Sequence, residues 1–268
     1  MSPSPLPRSS PRSKRAKMLI DMFSYPTSPH IVLCYHSVAN FDWKYNVTPN
    51  DFYQQISYLL TGYRPVTLDQ LTTSVTPSFT LTFDDGYKSI LNTKEYLKTN
   101  NIKPVLFLLA KPENLNHRET ENQLELLSDR DIRLLITDGW EIGSHGSQHP
   151  DYWQLTDRDI RAEIIESKKI LESKYQVPVR YFSYPKGRYT PPIINRVKLA
   201  GYQKAVITGG MLINNQTDPY LIPRICINHH HHLTNFKKEL QIPAIVIRHL
   251  TKKFGGRLLA KLYGHFLN

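Results

Sequence analysis

Residues Thr80 to Tyr87 read T-L-T-F-D-D-G-Y, and this stretch predicts both a central strand and the first candidate site residues. Bulky side chains at positions 79, 81 and 83 alternate with threonines, which is the pattern of a buried strand. Gly86 then ends the strand in a turn that a residue with a Cβ adopts only at a cost. Asp84 and Asp85 therefore fall at the carboxyl end of a strand, where α/β sheets and barrels carry their catalytic groups. Asp-Asp-Gly is also a frequent turn sequence, so a purely structural role stays open at this point.

A second stretch, Trp140 to Pro150, reads W-E-I-G-S-H-G-S-Q-H-P. It predicts a short strand followed by His145 and His149, whose spacing of four places both imidazoles on one face of a helical turn. Two imidazoles and one carboxylate would give three protein ligands and leave a coordination position open. That is the usual composition of a catalytic zinc site.

These motifs carry a family resemblance. T-F-D-D-G, H-x-x-x-H and the Y-P-K-G at residues 184–187 resemble the motifs of the polysaccharide deacetylase family, carbohydrate esterase family 4, over roughly residues 30 to 228. The sequences V-L-C-Y-H-S-V and D-P-Y-L-I-P-R-I are similar to the branch that de-N-acetylates poly-N-acetylglucosamine and related glycans. The resemblance implies a distorted, incomplete (β/α) barrel.

The order of predicted elements agrees with that fold. Strand and helix patterns alternate along the chain, which predicts a parallel sheet with crossover helices. The 268 residues suffice for one large α/β domain. We predict a disordered basic Pro/Ser-rich leader at 1–27, a catalytic domain at 28–232 and a basic, helical tail at 233–268.

The resemblance also implies roles for the motif residues. Asp85, His145 and His149 would bind a divalent metal ion, with Zn²⁺ as the first choice, and the ion would activate water and polarise the acetyl carbonyl. Asp84 would be the general base, and the backbone N–H of Lys186 would stabilise the oxyanion. The alternative for Asp84 is a turn or supporting role beside the metal.

Two positions depart from the family pattern. Lys186 stands where the family commonly has Tyr, and Ser183 stands where it has the motif Arg. Arg224, in P-R-I at a predicted strand end, is a candidate to orient Asp84 instead, with a surface or structural arginine as the alternative.

The general acid has no match to the family's L-x-x-H motif near the predicted last strand. Residues 247–249, I-R-H, are a weak candidate in the tail. The first predicted strand ends at His36, and first and last strands can be neighbours in a barrel. We therefore hypothesise that His36 is the general acid; a buried structural histidine is the rival interpretation.

Aromatic residues near the motif ends are candidates to stack on sugar rings, with packing in the core as the alternative. Together with Pro185, four of them form the predicted substrate contacts, Tyr87, Tyr152, Trp153 and Tyr184, and Tyr189 is a further aromatic candidate.

The sequence thus predicts a metal-dependent hydrolase that removes N-acetyl groups from an N-acetylated glycan and releases acetate. Hydrolysis of another amide or an acetyl ester is one alternative, and a catalytically weakened glycan-binding protein is another. The net charge is +11, with the excess at both ends. Nucleic-acid binding through those ends is a third alternative, which we do not expect.

The remaining features concern location and reactive side chains. An apolar signal-peptide core is not visible and no run approaches about 18 apolar residues, so a cytoplasmic protein is the default expectation. Peripheral membrane contact through the basic tail and non-classical export remain open. Cys34 and Cys226 are predicted to be free thiols, and the run His229 to His232 an exposed loop with adventitious metal affinity.

Overall fold

The computed structural model describes residues 30–71, 73–112, 124–152, 155–209 and 213–240. The predicted leader, Trp153, residues 247–249 and the tail beyond residue 240 lie outside these ranges. Within them the chain forms ten strands: β1 His30–Tyr35, β2 Ser37–Val38, β3 Asn46–Val47, β4 Arg64–Pro65, β5 Ser78–Asp85, β6 Val105–Leu108, β7 Glu141–Ser144, β8 Tyr181–Ser183, β9 Lys204–Thr208 and β10 Ile222–Cys226.

The described ranges also contain six α-helices, which lie between strands or follow them. They are α1 Pro49–Leu60, α2 Lys94–Thr99, α3 Asp129–Thr137, α4 Asp157–Tyr175, α5 Pro191–Leu199 and α6 Leu233–Glu239. None of these helices is long and apolar enough to cross a membrane.

Seven parallel strands form a closed barrel. Their order is β1-β10-β9-β8-β7-β6-β5, and hydrogen bonds between β5 and β1 close the ring. Short β4 pairs with the start of β5 outside the ring, and β2 and β3 form a separate two-stranded sheet. The predicted distorted barrel of the polysaccharide deacetylase type is confirmed, with one strand fewer than an eight-stranded (β/α) barrel.

Side chains alternate between the barrel interior and the helix layer. Val32, Phe107 and Val206 belong to the cluster that fills the interior, whereas Leu33 and Phe83 pack on the side of the helices. Aligned residues on neighbouring parallel strands face the same side of the sheet. The second half of β5 therefore presents alternate side chains to the interior, up to its carboxyl end.

Helix starts follow local sequence signals. Thr48 accepts a hydrogen bond from the backbone N–H of Asp51 at the start of α1, and Thr156 caps α4 in the same way. Ser128 and Asp131 form a reciprocal capping box at the start of α3. Such caps satisfy N–H groups that have no partner within the helix, which explains why these helices begin where they do.

Candidate active site

The ends of β5 and β7 meet at the carboxyl-terminal rim of the barrel. β5 ends at Asp85 and β7 ends immediately before His145, with β6 between them. Asp85 has a left-handed backbone with φ 69°. This conformation breaks the alternation of the strand, so both adjacent carboxylates reach the same imidazole. Oδ2 of Asp84 and Oδ1 of Asp85 each lie 3.6 Å from Nε2 of His145.

The loop that carries the two histidines is not the helical turn that the sequence predicted. Residues 145–149 form an irregular loop in which Gly146 has φ 83° and His149 has φ 57°. The prediction of a helical turn is therefore wrong, because positive φ at these two residues is incompatible with a right-handed helix. The loop nevertheless brings the two imidazole rings to a centroid distance of 4.9 Å.

Asp85, His145 and His149 converge. One potential ligand atom from each residue lies within 4.8 Å of the others. Three of the five non-glycine residues with positive φ in the described ranges lie at this rim, namely Asp85, His149 and Lys186. Backbone strain of this kind persists where the surrounding structure enforces it, and it is frequent at functional sites.

The three side chains fit a divalent cation. Oδ1 of Asp85 is buried and accepts no hydrogen bond. Nδ1 of His145 lies 2.8 Å from the carbonyl oxygen of Ser183, so it donates its proton there and leaves a lone pair on Nε2. Burial lowers the pKa of His145, which favours the neutral, ligand-competent imidazole. An uncompensated buried carboxylate oxygen beside an imidazole lone pair is the donor set that a zinc-like ion requires.

Asp84 is held by Arg224 of β10. Nη1 of the guanidinium donates to Oδ1 and Nη2 donates to Oδ2, both at 2.7 Å, and the two residues are 2% and 0% exposed. Burial alone would raise the pKa of Asp84, but the adjacent guanidinium and His145 hold it well below its usual value. Asp84 is therefore an ionised carboxylate with a fixed orientation.

Ser183 has a small side chain, and the guanidinium of Arg224 packs against it. Its hydroxyl accepts a hydrogen bond from Nη2 of Arg224 at 2.8 Å and donates to Oδ2 of Asp84 at 3.2 Å. Nη1 also donates to the hydroxyl of Thr82 at 2.9 Å. Position 183 thus supports an arginine from another strand where the family pattern has its own arginine.

His36 follows β1 and lies beside the two carboxylates. Its Nδ1 is buried without a hydrogen bond. Donor atoms of Cys34, His36 and Asp84 lie within 4.8 Å of one another. Burial lowers the pKa of His36, while the nearby carboxylates oppose that shift. The barrel brings β1 between β5 and β10, and for this reason a histidine from the start of the chain reaches the rim.

Most of the aromatic residues predicted to contact sugar are inaccessible. Tyr87, Tyr152 and Tyr184 are 1%, 2% and 0% exposed, and Pro185 is also buried. Side chains with so little exposure offer no face to a sugar ring, so the structure supports packing and not stacking for these four residues. This corrects the prediction for them, whereas Tyr189 is partly exposed and Trp153 lies outside the described ranges.

Two aromatic residues that sequence reasoning missed do line the rim. Trp43 and Tyr45 are partly exposed and lie in the loop after β2. The Tyr45 ring lies 4.9 Å from the His36 ring, and the Trp43 ring lies 5.1 Å from Tyr87. The signal available in the sequence was W-K-Y close after the first predicted strand.

Lys186 lies in a tight turn at the end of β8. The turn spans Pro185–Gly187, with φ 57° at Lys186 and φ 64° at Gly187. A Cβ at position 187 would lie 2.0 Å from Oγ1 of Thr208. Only glycine allows the turn to approach β9 this closely, and the position of the Lys186 backbone depends on that approach.

Glu163 of α4 anchors the histidine loop, and sequence reasoning did not single it out. Its Oε2 accepts hydrogen bonds from the backbone N–H groups of Ser147 at 2.7 Å and Gln148 at 3.3 Å. Burial raises the pKa of Glu163 and these N–H groups oppose that rise. The carboxylate thus ties the segment between His145 and His149 to a long helix.

Comparison with known proteins assigns the middle of the chain to a family. The sequence profile described as polysaccharide deacetylase matches residues 73–205, which include both carboxylates, both histidines and the turn at 185–187. The chain carries a polysaccharide deacetylase domain. The family consists of hydrolases of the carbohydrate esterase 4 type.

Relatives and solved structures agree with this deacetylase assignment. YxkH of Bacillus subtilis (strain 168), named as a polysaccharide deacetylase, is 26% identical over 206 residues, covering 74% of this chain and 71% of YxkH. The deacetylase PplD of Streptococcus pyogenes superposes with a TM-score of 0.68 at 19% identity, covering 80% of this chain and 98% of PplD. IcaB from Ammonifex degensii gives 0.66 at 21% identity, covering 81% of this chain and 97% of IcaB. At these identities the structural matches support the fold of the deacetylase domain.

Proposed function

We propose that this protein is a metal-dependent hydrolase that removes N-acetyl groups from N-acetylated aminosugars of a poly- or oligosaccharide and releases acetate. The observation that carries the proposal is the convergence of Asp85, His145 and His149 beside an Asp84 carboxylate that Arg224 holds ionised.

Asp85, His145 and His149 would hold the cation, for which Zn²⁺ is our first choice given two nitrogen donors and one oxygen donor. When bound, the cation supplies a Lewis acid that lowers the pKa of a coordinated water and polarises the acetyl carbonyl. His145 is prepared for this role by its contact with the Ser183 carbonyl, which fixes the tautomer and the ring orientation.

Asp84 serves as the general base in this proposal. Nη1 and Nη2 of Arg224 form a fork that donates to both carboxylate oxygens of Asp84, and Oδ2 also lies near His145. The fork lowers the basicity of the carboxylate but keeps it ionised, so at neutral pH it carries no proton and offers a lone pair to the attacking water. Its fixed orientation avoids the cost of reorienting the base during the reaction.

His36 would donate a proton to the departing amine, and the backbone N–H of Lys186 would donate to the oxyanion. His36 suits the acid role because it lies at the rim near both carboxylates with a buried Nδ1 that makes no hydrogen bond. Lys186 suits the other role because Gly187 sets the turn tightly against β9. Preorganised donors of this kind are worth about 3–4 kcal/mol in acyl transfer.

Trp43 and Tyr45 would form the sugar platform in place of the buried tyrosines. Both rings are partly exposed, and the Tyr45 ring lies 4.9 Å from the His36 ring at an interplanar angle of 31°. An aromatic face beside the proposed acid would hold an aminosugar ring with its amide nitrogen near that imidazole.

The decisive assay measures acetate released from N-acetylglucosamine oligomers by four forms of the protein. Wild type should lose activity after chelation and regain it with Zn²⁺. Asp85→Ala should lose both bound metal and acetate release, whereas Asp84→Asn should retain metal and lose turnover. Asp157→Asn, at an exposed position of α4, is the matched control.

Equal metal content in wild type and Asp85→Ala, or acetate release that is insensitive to the chelator, would overturn the proposal. An O-acetylated oligosaccharide tested in parallel distinguishes amide from ester hydrolysis by the same site. Faster release from the ester would transfer the assignment to that substrate class.

A further inference from the structure

We propose that His229 and His230, in the loop between β10 and α6, form a second binding site for a divalent transition-metal ion, with Cu²⁺ or Ni²⁺ preferred. The site is separate from the Asp85 cluster and does not depend on the proposed hydrolase activity. The sequence shows four consecutive histidines at 229–232, which by itself predicts only adventitious affinity. The structure divides this run into two pairs with different surroundings.

His231 and His232 are engaged in contacts with their neighbours. Nδ1 of His231 lies 2.8 Å from Oδ1 of Asn228, and Nδ1 of His232 lies 3.1 Å from a carboxylate oxygen of Asp51. These contacts tie one ring to its own loop and the other to α1. Neither ring belongs to the pair that forms the proposed site.

His229 and His230 instead face one another through matching atoms. Their Nε2 atoms are 2.9 Å apart, and their ring centroids are 3.9 Å apart. A hydrogen bond aligned with both nitrogens would separate the centroids by about 5 Å, because each nitrogen lies about 1.2 Å from its ring centre. The rings are closer than that, so the contact is a bent hydrogen bond in which one Nε2 donates to the other, and a bound ion would take the place of that proton.

The nitrogen separation indicates the type of ion. Two metal–nitrogen bonds of about 2.0–2.1 Å at a right angle place their nitrogens about 2.9 Å apart, and a tetrahedral angle places them about 3.3 Å apart. The 2.9 Å of the present hydrogen bond is also the spacing of adjacent ligands around a square-planar or octahedral ion, so such an ion would need little movement of the two nitrogens. Among ions that favour imidazole, Cu²⁺ and Ni²⁺ prefer that geometry.

The backbone of the pair is fixed on both sides. The N–H of His229 donates to the carbonyl of Lys44 at 3.1 Å, and the N–H of His230 donates to Oδ1 of Asn228 at 3.0 Å. The carbonyl of His230 accepts a hydrogen bond from Nδ2 of Asn235 at 2.9 Å. Binding therefore needs adjustment of two side chains and little ordering of the loop.

Asp42 lies near Nδ1 of His229, the ring nitrogen that would not bind the ion. Its Oδ1 lies 3.7 Å from Nδ1 of His229, at the edge of a cavity of about 380 Å³ that both residues line. Metal-bound histidines commonly donate their second N–H to a carboxylate, which orients the ring and raises its basicity. Asp42 is the positioning residue for this site, and exposed His230 leaves the remaining coordination positions open to water.

The test is equilibrium dialysis of the purified full-length protein against Ni²⁺ and, separately, Cu²⁺, without substrate. His229→Ala and His230→Ala should each remove one equivalent of bound ion, and Asp42→Asn should weaken that equivalent about 10-fold. His232→Ala, in the same histidine run but fixed on Asp51, should bind as wild type does. His145→Ala should remove the equivalent of ion bound at the Asp85 cluster. The double variant His145→Ala, His229→Ala should therefore lose two equivalents of bound ion.

Binding that is unchanged in His229→Ala and His230→Ala would overturn the proposal. An equal partial loss in these variants and in His232→Ala would also overturn it, because it would mean adventitious binding along the run. Circular dichroism checks that each variant is folded. His230→Gln is a second, milder substitution at a surface position, and it should also lose the bound ion. The readout is bound metal, so failure here is distinguishable from failure of the proposed hydrolase activity.

Discussion

Arg224 on β10 and Asp84 on β5 form a two-pronged ion pair, with both guanidinium–carboxylate distances at 2.7 Å. The two residues are 140 positions apart and come from strands that flank β1 in the closed barrel. The pair is buried, so the attraction acts in a medium of low dielectric and offsets the cost of removing two charges from water. A buried carboxylate beside the proposed metal ligands is thereby kept charged and fixed in orientation.

Replacing the fork by a single charge should impair catalysis and leave the fold intact. In Arg224→Lys the charge remains, but an ammonium cannot contact both carboxylate oxygens in the same geometry. We expect turnover to fall about 100-fold with bound metal unchanged, measured by acetate release and metal analysis. Arg196→Lys, on a surface ion pair with Asp157, is the control. Turnover of Arg224→Lys equal to wild type would remove Arg224 from the proposed machinery.

His36 can be tested through the leaving group. If it donates the proton to the departing amine, His36→Ala should lower amide hydrolysis by roughly 10²- to 10⁴-fold with metal content intact. An activated aryl acetate needs no such proton, so its hydrolysis should change little. Loss of folding in His36→Ala, or an equal loss for both substrates, would favour the structural interpretation of this histidine.

Glu163 should support metal binding from a distance. Glu163→Ala removes the acceptor for the Ser147 and Gln148 N–H groups, so the loop that ends at His149 loses its anchor. We expect metal affinity to fall about 10- to 100-fold, with Glu163→Gln retaining most of it because the amide oxygen still accepts. Glu166→Ala, on the same helix beside Lys111, serves as the control. Equilibrium dialysis measures all three, and equal affinities would contradict the anchoring role.

Gly187 should not tolerate a methyl group. In Gly187→Ala the added Cβ would meet Thr208 at 2.0 Å, at a residue whose φ is 64°. We expect a loss of about 1–3 kcal/mol in the free energy of unfolding, measured by urea denaturation. Gly62→Ala, where nothing lies within 4 Å of the new Cβ, should be close to neutral. Equal stabilities for the two variants would show that the turn can move away from β9.

Asp138 should contribute to stability at neutral pH and not in acid. Hydrogen bonds from Lys98 and Lys94 of α2 hold the pKa of Asp138 below its usual value. The pKa of Asp138 in the folded state is thus lower than its value of about 3.9 in the unfolded state. Between these two pKa values the unfolded state binds more protons than the folded state. The contribution is present above about pH 4 and is lost as pH falls through the folded-state pKa.

Urea denaturation of wild type and Asp138→Asn between pH 7 and pH 3 measures this contribution. The difference in the free energy of unfolding should be largest at neutral pH and shrink in acid. A difference that stays constant over this range would mean that the carboxylate acts through packing and not through its charge.

The sequence alone determined the fold and the residues at the strand ends. Alternating bulk before Asp84 and Asp85 predicts a buried strand, and alternating strand and helix patterns predict a parallel sheet, because these patterns depend on local periodicity. That the sheet curls into a barrel was implied only by the family resemblance. The helix caps at Thr48 and Ser128 were likewise local signals. The same locality explains the error at His145 and His149, since a spacing of four does not reveal the positive φ that the loop adopts.

Only the tertiary structure decided which distant side chains meet. Arg224 contacts Asp84, and His36 reaches the rim, because barrel closure places β1 between β5 and β10. The tertiary structure also decided which aromatic side chains are exposed to solvent: Tyr184 is buried, whereas Trp43 and Tyr45 are partly exposed. The physical reason is that convergence and exposure depend on strand order and register across the whole chain, whereas periodicity depends only on neighbours in sequence.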